Sequence, residues 1–136
     1  MKRREFIALA GAATLTPFAA SAAKKFVDYT PGLVDQLLAS GKTVLVDYYA
    51  SWCSTCRTQE RIIKGIRNQN SDYDDNMVFV RVDWDIHAGS DISTRYNIPR
   101  RSTLLLLRGD DELGRIVAGT STKTITALMD LGLATA

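Results

Sequence analysis

The chain has 136 residues, 46% apolar and 24% charged, which are the proportions of an ordinary globular protein at a length that fits one domain. Two cysteines and one histidine are too few for a disulfide-built scaffold or for the four ligands of a structural zinc, and no apolar run reaches the ~20 residues of a membrane span. The net charge of +2 comes wholly from Lys2, Arg3 and Arg4 against Glu5; residues from Phe6 onward sum to zero, so there is no basic footprint for nucleic acid, which is excluded as a partner.

Residues 1–22 read as a signal peptide and residues 23–136 as one domain. The basic start is followed by an apolar, small-residue stretch from Phe6 to Ala20, and Ala20-Ser21-Ala22 supplies the small residues of a cleavage site. The alternative is an uncleaved anchor, against which stands a short, Ala-rich stretch interrupted by Pro17. Arg3-Arg4-Glu5-Phe6-Ile7 also resembles the twin-arginine export signature, with Lys2 where Ser or Thr is usual and Ala8 where Lys is common. The expected location is the periplasm, where cysteine pairs form and persist.

Downstream, Thr30-Pro31 predicts a helix start, Leu33, Val34, Leu37 and Leu38 its apolar face, and Gly41 its stop. The β-branched and aromatic run Thr43–Tyr49 predicts a buried strand, and Ser54 to about Gln69 a helix carrying Ile62, Ile63 and Ile66 on one side. Asn68 to Asn76 is polar and reads as a loop. Met77–Val82 predicts a second strand, Ser90 or Asp91 caps a short helix ending near Tyr96, Thr103–Leu107 is a fully apolar strand, and Gly109-Asp110-Asp111 turns into a strand at Gly114–Ala118. Thr120–Leu131 closes the chain as an amphipathic helix, with Gly132 expected to stop it. Continuous apolar strands between helices imply an α/β fold, a central sheet covered on both faces.

Trp52-Cys53-Ser54-Thr55-Cys56 is the one sharp chemical feature. Cys53 falls at a helix N-terminus, where unpaired N–H groups and the helix dipole favour a thiolate, and Cys56 lies one turn on. A lone pair of this spacing can be a redox centre, half of a metal site or a structural disulfide. A metal site lacks a second ligand pair here, and so small a loop restrains the unfolded chain little, so redox chemistry is the favoured reading.

These residues resemble the thioredoxin family. Val44–Cys56 looks like its strand and active-site segment, Phe79–Asp83 like its next strand, Tyr96-Asn97-Ile98 with Ser102–Leu106 like the segment around its cis-proline, and Ala118-Gly119 like the glycine ahead of its last helix. The resemblance covers most of the chain from Phe26 to Leu131. It implies a thioredoxin fold with a central mixed sheet, and thiol–disulfide exchange with no cofactor beyond the Cys53–Cys56 pair. Cys53 would be the attacking thiolate, more acidic and more accessible than the resolving Cys56. Asp47 matches the buried acid thought to move the resolving thiol's proton; its alternative is a strand-end Asp bonded to backbone. Arg81 falls near that acid or is simply exposed. Trp52 would shape the site, and Arg101, Ser102 and Gly119 fall at positions that meet substrate.

Ser54-Thr55 is neither the Gly-Pro nor the Pro-His of familiar members, and Ser102 replaces the cis-proline, with Pro99 three residues early. A cis bond before a non-proline residue costs about 2.5–4 kcal/mol, so the Arg101–Ser102 bond is expected to be trans. Weak activity on generic disulfides is expected, rising on Ser102→Pro. The reading is an exported, monomeric reductant of protein disulfides or of a partner redox protein, fed by a membrane thiol reductant. The competing reading is a non-catalytic binding module whose cysteines form a stable disulfide or hold a metal.

Overall fold

The computed structural model describes residues 25–134; the signal peptide expected at residues 1–22 and its cleavage point lie outside them. In chain order the elements are β1 (Val27–Asp28), α1 (Leu33–Ala39), β2 (Thr43–Tyr49), α2 (Ser54–Gln69), α3 (Asp72–Asn76), β3 (Met77–Asp83), α4 (Trp84–His87), α5 (Asp91–Thr94), β4 (Thr103–Arg108), β5 (Asp111–Val117) and α6 (Thr122–Ala134). The strands form one five-stranded sheet in the order β1-β3-β2-β4-β5. β3 runs parallel to β1 and β2, while β4 is antiparallel to β2 and β5. This is the mixed sheet expected of the fold.

Alternation along β2 builds both halves of the core, since successive side chains point to opposite faces. Leu45 packs with Ile63 and Ile66 of α2 and Ile125 and Met129 of α6. Val44, Val46 and Tyr48 pack with Val34, Ile92 and Ile98 on the other face. Asp47 shares the parity of Leu45, which puts its carboxyl on the α2 side of the sheet.

Local signals and tertiary packing part company at several points. Helix α1 is not capped by Thr30-Pro31: the cap residue is Gly32 at φ 88°, and the Thr30 carbonyl accepts the Leu33 N–H. Its far end follows the expected glycine stop, with Gly41 at φ 87°, its N–H on the Leu38 carbonyl and the Lys42 N–H on that of Leu37. Within the stretch read as a loop, α3 forms because Tyr73 is buried and Asp74 pairs with Arg67 at 2.7 Å, the guanidinium lying 4.0 Å from the Phe79 ring centre. Strand β5 starts at Asp111, earlier than its apolar residues suggest. Gly132 does not end α6 but lies within it; a Cβ there would stand 2.7 Å from Met77 Sδ, so the glycine allows close packing of helix on sheet.

Candidate active site

Strand β2 delivers the chain to its exit from the sheet, where Ala50-Ser51-Trp52 turn it into α2. Cys53 is the cap residue of α2, at φ −93° and ψ 115°, and its sulfur accepts the Cys56 N–H at 3.1 Å. That bond satisfies one of the helix's unpaired donors and turns its dipole toward the sulfur. Both cysteines are free thiols, and they are almost equally covered, at 4% and 3% exposure. Accessibility therefore does not separate them, contrary to expectation; acidity does. Burial pushes Cys53 up, but hydrogen bonds from Cys56, Ser102 and Arg101 outweigh it and bring the thiol down to about 7. Burial and its hydrogen bond to Cys53 push Cys56 up.

Ser102 faces the pair. The peptide bonds among the described residues are all trans, Arg101–Ser102 included, and Ser102 adopts φ 66°, a left-handed conformation that side chains seldom take. Its N–H donates to the Tyr48 carbonyl at 2.7 Å, and its carbonyl accepts the Ala118 N–H at 2.8 Å. The hydroxyl lies 3.2 Å from Cys53 Sγ and 3.1 Å from Cys56 Sγ. Gln59, which the sequence reading passed over, closes the arrangement: its buried amide donates to the carbonyls of Ser102 (3.0 Å) and Gly119 (2.9 Å). A polar residue on the inward side of α2 was the signal available. Gly119 thus meets the site through its carbonyl, and a Cβ there would lie 2.9 Å from Ile116 Cγ2.

On the rim, Trp52 is 58% exposed, its indole N–H on Asp85 Oδ2 at 2.9 Å and the Arg101 guanidinium 4.3 Å from its ring centre. It forms an outward platform beside Cys53. Asp47 is buried on β2 and its carboxyl oxygens have no hydrogen-bond partner among the described residues, which removes the reading of a strand-end Asp bonded to backbone. Burial first, then the charges of Glu60 and Cys53, push it up to about 8, with Arg81 opposing. Arg81 itself pairs with Asp28 at 2.8 Å and stacks on Tyr49 at 4.7 Å. A cavity of about 280 Å³ brings Tyr49, Cys56, Glu60 and Arg81 onto one lining. Among the described residues, no group of three or more His, Cys, Asp or Glu is placed to hold a metal ion.

The family model for thioredoxin matches residues 18–131. The chain belongs to the thioredoxin family. Among its relatives, thioredoxin H2-1 of Oryza sativa is 32% identical over 98 residues, covering 70% of this chain and 67% of the relative. The mitochondrial thioredoxin-2 of Schizosaccharomyces pombe is 29% identical over 109 residues, 80% of this chain and 73% of its own. Among solved structures, Trxlp of Edwardsiella tarda superposes with a TM-score of 0.63 at 31% identity, covering 76% of this chain and 95% of that one. As a member of the thioredoxin family the protein is a thiol–disulfide oxidoreductase, and protein disulfides are its general class of substrate.

Proposed function

We propose that this thioredoxin-family protein is exported to the periplasm and works there as a reductant of protein disulfides or of a partner redox protein, replenished by a membrane thiol reductant. The observation that carries the redox roles is the acidity gap between two neighbouring thiols: Cys53 brought down to about 7, Cys56 pushed up. The Cys53 thiolate attacks one sulfur of a substrate disulfide, forming a mixed disulfide and releasing the first substrate thiolate, which takes a proton from water. Cys56 then loses its proton and attacks Cys53 Sγ. The Cys53–Cys56 disulfide forms, the second substrate thiol leaves, and two electrons have passed from protein to substrate. Asp47, near 8, is suited to accept the Cys56 proton, because a general base works best close to the ambient pH. Export rests on the basic start and Ala20-Ser21-Ala22, and the need for an electron donor follows from a reductant placed in an oxidising compartment.

Cys53→Ser is expected to abolish reduction of a protein disulfide substrate, and alkylation of the reduced wild-type protein near neutral pH is expected to label Cys53 before Cys56, as read by peptide mass spectrometry. Absence of turnover by the wild-type protein would leave only a binding module, and Cys56 labelled first, or full turnover by Cys53→Ser, would remove Cys53 from the role of nucleophile. In the native host, intact mass is expected to show loss of the first 22 or 23 residues. Full-length protein in the cytosol would overturn export.

A further inference from the structure

Ser102 is completely buried, and a buried hydroxyl costs free energy unless it finds partners. Among the described residues, the hydrogen-bond partners of its oxygen are the two sulfurs, at 3.2 and 3.1 Å. The backbone that carries it is held on three sides, by the Tyr48 carbonyl, the Ala118 N–H and the Gln59 amide, in a conformation that L residues avoid. Such clamping keeps the hydroxyl within reach of both thiols.

We propose that Ser102 is a positioning residue that divides the roles of the two thiols: its O–H donates to the Cys53 sulfur while its lone pair accepts the S–H of Cys56. A hydroxyl has one hydrogen and two lone pairs, so it can donate to one sulfur only and must accept from the other. The Cys56 N–H already points at Cys53 Sγ, at 3.1 Å. Cys53 is therefore the sulfur with donors converging on it, and Cys56 is the one that keeps its proton. With one donor among several removed, Cys53 loses part of its advantage, and the Cys56 S–H, which Cys53 Sγ also accepts, loses one of its two acceptors. The inference rests on Cys53 being the nucleophile, and the test separates the two questions.

The experiment measures the pH dependence of iodoacetamide alkylation, with the labelled cysteine identified by peptide mass spectrometry, in the wild type, Ser102→Ala and Ser102→Gly. Both substitutions remove the hydroxyl, but glycine accepts φ 66° without strain, so it preserves the loop even where alanine disturbs it. A hydrogen bond to a charged group is worth enough to move a thiol–thiolate ratio about tenfold. Both variants are expected to be alkylated at Cys53 about tenfold more slowly on the acidic side of the profile, with rates converging at high pH. A Ser102→Gly profile that superposes on the wild type would overturn the proposal and reduce Ser102 to a filler of space. Labelling of Cys56 first in the wild type would instead overturn the assignment of the nucleophile on which it rests.

Discussion

Asp47→Leu is expected to stabilise the protein, and to do so more at pH 8 than at pH 5. The carboxyl is buried, its oxygens have no hydrogen-bond partner among the described residues, and burial above all raises it from 3.8 to about 8. In the unfolded chain Asp47 ionises near pH 4; in the folded protein it keeps its proton to about 8. Across that window the folded state binds one proton more than the unfolded state, so stability falls as pH rises and levels off only above the folded value. Below pH 4 both states are protonated and the titration contributes nothing to the slope. Removing the carboxyl removes this slope, a gain on the order of 3–5 kcal/mol near pH 8. Urea unfolding of both proteins between pH 4 and 9 measures it directly. Parallel stability profiles would mean that the carboxyl is solvated in the folded state. Asp47→Leu should also prolong the mixed disulfide, since Cys56 would lose the base proposed to take its proton. Stability gained at the expense of turnover is the usual mark of a group kept for chemistry.

Ser102→Pro is expected to destabilise the protein severely, the reverse of what the likeness to a cis-proline segment suggests. Proline holds φ near −65° and has no N–H, whereas Ser102 sits at φ 66° and gives its N–H to the Tyr48 carbonyl at 2.7 Å. The substitution would leave a buried carbonyl on β2 unpaired and force the loop to move away from Gln59 and Ala118. The combined cost is on the order of 3–5 kcal/mol, near the top of what single substitutions produce. Denaturant unfolding of Ser102→Pro beside Ser102→Gly isolates the effect, because glycine keeps the N–H and tolerates the conformation. A proline variant as stable as the wild type, with higher activity on generic disulfides, would restore the sequence-based expectation and show that the loop readily rearranges.

The contrast at residue 102 marks a boundary between what one sequence determines and what packing decides. Apolar and β-branched runs located β2, β3 and β4, and helical spacing located α2 and the body of α6, because these elements are long enough for burial to impose a pattern on consecutive residues. The cysteine pair was equally legible: its spacing and its place between a buried strand and an amphipathic helix set Cys53 at the helix start from local information alone. Of the short elements, α5 was legible from its cap at Ser90, whereas β1, α3 and α4 were not. Two-residue β1 is held by backbone pairing to Val80 and Arg81, and α3 by the burial of Tyr73, whose hydroxyl donates to Asp130, contacts made across the fold that leave no period in the chain. Gly132 carried the local signature of a helix stop, yet it lies inside the last turn of α6, where it packs closely against Met77. Ser102 and Gln59, 43 residues apart, meet only because β4 returns antiparallel beside β2 and brings its leading loop over the start of α2. Which residue caps a sulfur, and which carboxyl is left without a partner, depends on groups distant in sequence competing for the same few buried hydrogen bonds, and that competition exists only once the sheet has closed.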